Sequence, residues 1–222
     1  MLIFVGPTAS GKTTLMRLLC RRIRERGGRC VYFVSPPFGG LAYFIILLLS
    51  KALIYAHKLN KALSGKKHMA VLEIVNPRLL SKALPLIIVA DFISKIVQQA
   101  VFTVLEKAGF TVLVEDYYPQ MVADHLVYYK LYISGSKTLR NLITLEQRVF
   151  YRYATKALNT TCVHVYAEEV TRVLRELKRS RRSLSVSGFY DNVVRNLLPR
   201  TVCEDVGLNT KLTITDEGTL NE

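Results

Sequence analysis

The stretch that decides the fold stands near the start of the 222-residue chain and reads Leu2-Ile3-Phe4-Val5-Gly6-Pro7-Thr8-Ala9-Ser10-Gly11-Lys12-Thr13. Its first four residues are apolar, as in a buried strand. Beyond it, apolar residues recur at helical spacing from Leu15 to Ile23. The pattern therefore predicts a strand, a glycine-rich turn and a helix in direct succession.

The glycine-rich turn has the spacing GxxxxGKT, and such turns bind phosphate. The glycines let successive backbone N–H groups point inward, and the start of the following helix adds partial positive charge. Lys12 is expected to reach the β- and γ-phosphates, and Thr13 to ligate Mg²⁺. We expect ATP to contact Gly6, Pro7, Thr8, Ala9, Ser10, Gly11, Lys12, Thr13 and Thr14. The alternative is a glycine-rich turn without a ligand.

A second candidate for the metal follows an apolar, β-branched run at 110–114, which is typical of a central parallel strand. Glu115 and Asp116 come directly after it. Ligands bind at the carboxyl ends of such strands, and a carboxylate there suits Mg²⁺. Either residue can face the metal, and the alternative is an acidic loop.

The order of elements predicts one α/β domain over residues 1–222, a three-layer doubly wound parallel sheet of the P-loop NTPase type. Strands are expected at Leu2–Val5, Cys30–Val34, Phe110–Val114 and Thr161–Tyr166, with a last edge strand around Leu212 and Ile214. Helices are expected from Lys12 to about Glu25, Leu41 to about Lys61, Pro85 to Lys107 and Glu168 to about Arg179.

Composition limits the partners and the compartment. Thirty-one Lys and Arg residues against 17 Asp and Glu residues give a net charge of +14, which favours polyanions such as nucleotides or nucleic acid. The cysteines form no CxxC pair, so we expect buried, reduced thiols. The uncharged run 41–50 is too short to span a membrane, and no basic leader precedes Leu2. We expect a cytoplasmic protein without a membrane span.

Several segments together resemble thymidylate kinases, within the nucleoside monophosphate kinase group, over roughly residues 1–198. The segments Ala90-Asp91-Phe92, 105–110 and Val114-Glu115-Asp116-Tyr117-Tyr118 resemble the family's "ADR" element and its "LxxGxxVIxDRY" strand. The segment 37–40 resembles its "REPGG" segment, and the basic stretch after Glu168-Glu169 resembles its mobile lid, here around 178–187.

The resemblance implies transfer of the γ-phosphoryl group of ATP to a nucleoside monophosphate. The catalytic residues would be Lys12, Asp116 and the lid arginines Arg179, Arg181 and Arg182. Those arginines also fit a solvated basic helix end. The acceptor would be bound by Phe38, Asp91, Phe92, Tyr117, Tyr118 and His125.

The chain departs from the family where the acceptor phosphate is bound. Phe92 and Tyr117 replace arginines, and Ser35 stands at the charged start of "REPGG". A planar guanidinium suits a phosphate better than any neutral group, so thymidine monophosphate is expected to be a poor acceptor. Besides a kinase with an altered acceptor, the sequence fits an NTP-driven switch that binds nucleic acid or protein, or a scaffold that retains the loop alone.

Two of the predicted helices are apolar around most of their circumference, which favours a homodimer. The resembled family also pairs through equivalent helices. The expected interface residues are Leu41, Phe44, Ile45, Leu48, Leu49, Leu86, Ile87, Ile88, Ile93 and Ile96.

Overall fold

A parallel sheet of five strands lies at the centre of the protein, in the order β2-β3-β1-β4-β5. The computed structural model describes residues 1–6, 10–56, 68–133, 135–156, 160–165, 201, 203 and 213–214. The strands are β1 (Leu2–Val5), β2 (Arg29–Val34), β3 (Phe110–Glu115), β4 (Thr161–Val165) and β5 (Thr213–Ile214). Every hydrogen-bonded pair of strands is parallel.

Helices pack on both faces of the sheet. They are α1 (Lys12–Glu25), α2 (Gly40–Ala56), α3 (His68–Val75), α4 (Pro77–Lys107), α5 (Tyr118–Tyr132) and α6 (Lys137–Lys156). Because side chains alternate along a strand, Phe4 packs on Met16 of α1, whereas Ile3 and Val5 face the opposite cluster formed with α4, α5 and α6. The predicted three-layer α/β architecture is confirmed for the described residues.

Helix α4 begins eight residues before the predicted start at Pro85, so that prediction is wrong. The Asn76 side chain accepts a hydrogen bond from the Leu79 N–H at 2.9 Å, and Pro77 occupies the first helical turn. An asparagine cap followed by proline is a strong helix start. Pro85 lies inside the 31-residue helix, where it removes one backbone donor.

The predicted strands agree with the structure to within a residue at each described end. The edge strand at Ile214 is present and pairs with β4. Several predictions lie outside the described residues: the end of α2 near Lys61, Leu212, the helix at 168–179 and the basic lid at 178–187. Within the described part of the chain, no helix combines the length and the apolar character needed to cross a membrane.

The cysteines are buried, as expected, but the prediction of free thiols is wrong. Cys20 pairs with Cys30, which ties α1 to β2, and Cys162 pairs with Cys203, which ties β4 to the carboxyl-terminal part of the chain. The paired Cα atoms are 5.4 and 6.5 Å apart. Disulfides occur in oxidising compartments and also inside hyperthermophilic cells. Missing CxxC motifs therefore do not establish a reduced compartment.

We predict that reduction of both disulfides lowers the melting temperature by about 10 °C or more. Closing loops of 10 and 41 residues restricts the unfolded chain by about 3 and 4 kcal/mol. Thermal unfolding with and without a reductant measures the shift, and the Cys162→Ser/Cys203→Ser variant should show a smaller one. Four reactive thiols in the unfolded, unreduced protein would contradict the prediction.

Candidate functional site

The candidate site lies where the chain changes direction across the sheet. From β1 the chain passes through α1 to β2 on one side, and from β3 it passes through α5 and α6 to β4 on the other side. Loops that leave neighbouring strands in opposite directions open a crevice at the carboxyl edge, which is where α/β proteins bind ligands. The turn after β1 and the Glu115-Asp116 pair both border this crevice.

The turn after β1 requires its glycines. Gly6 has φ +145°, and a Cβ atom there would lie 2.2 Å from the carbonyl oxygen of Val165 in β4. Gly11 has φ +96° at the start of α1. These positions disfavour any other residue, and at Gly6 the backbone lies directly against β4.

Lys12 points across this turn toward the end of β3. Its Nζ donates to the Gly6 carbonyl at 2.8 Å and lies 3.4 Å from Asp116 Oδ1 and 3.7 Å from Glu115 Oε1. The side chain is 5% exposed. A buried cation therefore lies between the Gly6 carbonyl and two carboxylates.

Thr13 and Glu115 form the pair of oxygens best suited to Mg²⁺. Thr13 Oγ1 donates to Glu115 Oε2 at 2.5 Å. Mg²⁺ commonly takes one or two protein oxygens and completes its shell with water and nucleotide phosphates. Among the described residues there is no cluster of three or more His, Cys, Asp or Glu side chains that could hold a metal, so a metal here would depend on such outside ligands.

Asp116 differs from Glu115 in its environment. It adopts φ +57°, and its N–H donates to the Phe4 carbonyl at 3.2 Å. Burial raises the pKa of its carboxyl group, and the nearby Lys12 ammonium opposes this rise. Asp116 therefore faces Lys12, whereas Glu115 contacts both Thr13 and Lys12.

Ser10 supports a ligand inside the turn. Its hydroxyl is buried and finds no hydrogen-bond partner among the described residues. Buried polar groups are normally paired. A phosphate oxygen held by the turn would supply the missing partner, so Ser10, Lys12, Thr13 and Glu115 fit a nucleotide with Mg²⁺.

A polar stripe on α4 borders the other side of the crevice. Asp91, Ser94, Lys95 and Gln98 recur at i, i+3, i+4 and i+7, so they share one face of the helix. All four contact the β2–α2 loop (residues 35–39) or the start of α2. Sequence reasoning found Asp91 and missed the other three. Their spacing at i+3, i+4 and i+7 from Asp91, within the apolar middle of the helix, was a detectable signal.

His125 lies at the centre of a buried charged group. Its Nδ1 is 2.9 Å from Glu146 Oε2, and its Nε2 is 3.3 Å from Asp91 Oδ2. All three side chains are fully buried. Burial alone lowers the pKa of His125, but the contacts with Asp91 and Glu146 outweigh it and raise the pKa to about 9.

The predicted acceptor residues fall into two groups. The Phe38 ring lies 5.3 Å from the His125 ring, and Asp91 binds the Phe38 N–H at 2.7 Å, so these three are brought together. Phe92, Tyr117 and Tyr118 belong to the hydrophobic core against the sheet. Their proposed contact with an acceptor stays a prediction. Outside the described residues lie Pro7, Thr8, Ala9, Arg179, Arg181 and Arg182.

No protein-family model and no curated protein sequence matches this chain. The geometry of the crevice is therefore the basis for any assignment of function.

We predict that the free energy of unfolding falls by about 2 kcal/mol between pH 6.5 and 8. The pKa of His125 is raised to about 9 in the folded state, so the folded protein keeps a proton that the unfolded chain loses in this range. From about pH 7 upward Lys95 increasingly acts in the opposite direction, because burial lowers its pKa to about 8.

Urea denaturation at several pH values measures this dependence. His125→Gln should abolish the decline, whereas His68→Gln leaves the buried group intact and should retain it. A wild-type protein whose stability is constant or rising between pH 6.5 and 8 would contradict the assignment of the proton to His125.

Proposed function

We propose that this protein is an ATP- and Mg²⁺-dependent phosphotransferase that transfers a γ-phosphoryl group to a nucleoside, a nucleoside monophosphate or a related acceptor. The observation that carries the proposal is the arrangement around Lys12: a buried ammonium beside the glycine turn, with the Thr13 hydroxyl bonded to Glu115. Lysine, hydroxyl and carboxylate are the groups that phosphoryl transfer needs at a P-loop.

Each group has a defined role in this proposal. Lys12 releases its contacts with Glu115 and Asp116 and binds the β- and γ-phosphates, where its charge stabilises the transition state. Thr13 and Glu115 would hold Mg²⁺, which would neutralise negative charge on the phosphates. Asp116 stays at the edge of the crevice after this release and orients the acceptor side. This assigns Glu115 rather than Asp116 to the metal.

The acceptor is expected to differ from that of ordinary thymidylate kinases. Phe92 and Tyr117, which replace the family's arginines, are buried in the core. Among the described residues, Lys95 is a buried cation on the acceptor side, and its ammonium already donates to Ser35 and Pro36. An acceptor with less charge than a monophosphate fits these surroundings better than one that needs a guanidinium.

The second candidate function is an NTP-dependent switch that binds a nucleic acid. The arginines of α1 favour it, since Arg17, Arg21, Arg22 and Arg24 are all exposed on the helix that begins at the phosphate turn. A nucleotide-dependent change in polynucleotide affinity would distinguish this function from phosphotransfer.

We also propose a homodimer, formed through α2 and α4. Large apolar side chains on both helices are exposed in the single chain: Phe44 is 60% exposed, Leu48 69% and Leu86 60%. Of the expected interface residues, Ile87 and Ile88 are fully buried inside the chain and are wrong as interface residues. A pocket of about 210 Å³ beside Val97 and Val101 adjoins the same face and offers room for a side chain of the partner copy.

We predict that the wild-type protein transfers labelled γ-phosphate from ATP to at least one member of a panel of nucleosides and monophosphates, with thymidine monophosphate among the poor acceptors. Lys12→Ala should lose transfer by at least about a hundredfold, because a charged contact with the phosphates is removed. Glu115→Gln should weaken the dependence on Mg²⁺ while keeping the volume of the side chain.

Lys137→Ala, at an exposed lysine of α6, serves as the control and should be unaffected. Circular dichroism is needed alongside, because Lys12→Ala also leaves two carboxylates without their cation. ATP hydrolysis stimulated by a polynucleotide, with no transfer, would favour the switch. Absence of ATP binding by calorimetry in the wild type would overturn both functions.

We predict a dimer mass by light scattering at micromolar concentration. Leu48→Glu/Leu86→Glu should give a monomer with an unchanged fold, because it places charges on exposed positions of the proposed interface. Leu131→Glu, at another exposed leucine on α5, is the control and should remain a dimer. A wild-type monomer would rule the interface out.

A further inference from the structure

Helix α4 holds the β2–α2 loop mainly through the backbone of the loop. Lys95 Nζ donates to the Ser35 carbonyl at 3.0 Å, to Ser35 Oγ at 2.6 Å and to the Pro36 carbonyl at 2.8 Å. Asp91 accepts from the Phe38 N–H, and Ser94 Oγ accepts from the Leu41 N–H at 3.0 Å. The three contacts of Lys95 use all three N–H donors of its ammonium group.

Lys95 is an unusual residue to find in this place. Its side chain is 0% exposed, and a lysine is almost never fully buried unless it is paired. The ammonium reaches neutral carbonyl and hydroxyl oxygens, with Asp91 and Asp116 near enough to interact electrostatically. The three hydrogen bonds and these two carboxylates offset the desolvation cost of the buried ammonium.

The loop that Lys95 holds is conformationally strained. Phe38 adopts φ +55°, a left-handed conformation that is unfavourable for a residue with a Cβ atom. A Cβ atom on Gly40 would lie 2.7 Å from Ser94 Oγ, so α4 and the loop are in close contact. Strained residues persist where many surrounding contacts hold the backbone in place, and they cluster at ligand sites.

The loop is also connected to the phosphate site through a series of charges of alternating sign, of which only Asp116 is partly exposed. Lys12 contacts Asp116, Asp116 interacts with Lys95, Lys95 interacts with Asp91, and Asp91 contacts His125. The Ser35 N–H donates to the Glu115 carbonyl at 2.9 Å, which places the start of the loop directly beside the metal-facing residue.

We propose that Lys95 is a positioning residue that fixes the β2–α2 loop in one conformation beside the phosphate turn, so that the acceptor side of the crevice is formed before an acceptor binds. The acceptor part of this proposal rests on the proposed phosphotransfer. Lys95 does not touch the acceptor in this assignment, since its ammonium is committed to the loop. Preorganisation of this kind lowers the cost of binding.

The test is backbone hydrogen exchange of the full-length protein, with no ligand, in the wild type and in Lys95→Met. The wild-type amides of Phe38 and Leu41 should be protected, and in Lys95→Met the loop amides should exchange at least about tenfold faster. Amides of β1 and α1 should change less than about twofold. Lys82→Met makes the same substitution at an exposed position of the same helix and should leave the loop unchanged.

Kinetics supply the second readout. In Lys95→Met the KM for the acceptor should rise about tenfold, while the KM for ATP changes less than about twofold. A general loss of folding would raise both constants together. Equal loop exchange in Lys95→Met and Lys82→Met, or a parallel rise of both KM values, would overturn the proposal.

Ser35→Ala is the milder variant, for use where Lys95→Met does not fold. It removes one of the three acceptors of Lys95 without leaving an unpaired charge, and it should speed loop exchange by about threefold. Fast exchange of Phe38 and Leu41 in the wild type would overturn the proposal with no variant at all. A wild type without phosphotransfer would overturn the proposed function alone, because the exchange measurement needs no acceptor.

Discussion

The position of the Lys12 ammonium is the constraint on which the site depends. A buried cation needs counter-charges, and here Asp116 and Glu115 supply them from β3 while the Gly6 carbonyl supplies a neutral acceptor. This arrangement requires β1 and β3 to be neighbours, which the register of Phe4 with Glu115 provides. The contacts of Lys12 with Glu115 and Asp116 therefore depend on the order of the strands in the sheet.

Helix α4 also carries buried charges that need partners nearby. A helix that packs against a sheet normally presents apolar side chains, yet Asp91 and Lys95 are both fully buried. Their partners come from the β2–α2 loop and from His125, so each charge is compensated locally. Removing one partner of such a buried charged group lowers the free energy of unfolding by more than the whole group contributes to it, because the remaining charge is left buried and unpaired.

The sequence predicted the features that local patterns encode. The glycine turn, its flanking strand and helix, and the acidic end of β3 follow from residues that are close together in the chain. Long-range pairings, such as Cys162 with Cys203 and Lys95 with Ser35, did not follow, because spacing alone does not show which residues meet after folding. The early start of α4 is a different case. Asn76 and Pro77 form a helix start that could be found in the sequence, but the predicted start at Pro85 relied on the apolar periodicity that follows Pro85.

The contacts between α4 and the β2–α2 loop go mainly to main-chain atoms: the carbonyls of Ser35 and Pro36 and the N–H groups of Phe38 and Leu41. Every residue has a carbonyl, and every residue except proline has an N–H group. Mutations can therefore exchange side chains such as Phe38 while the path of the loop is kept. Such a scaffold allows the side chains of the loop to diverge during evolution while the surroundings of Lys12 stay unchanged.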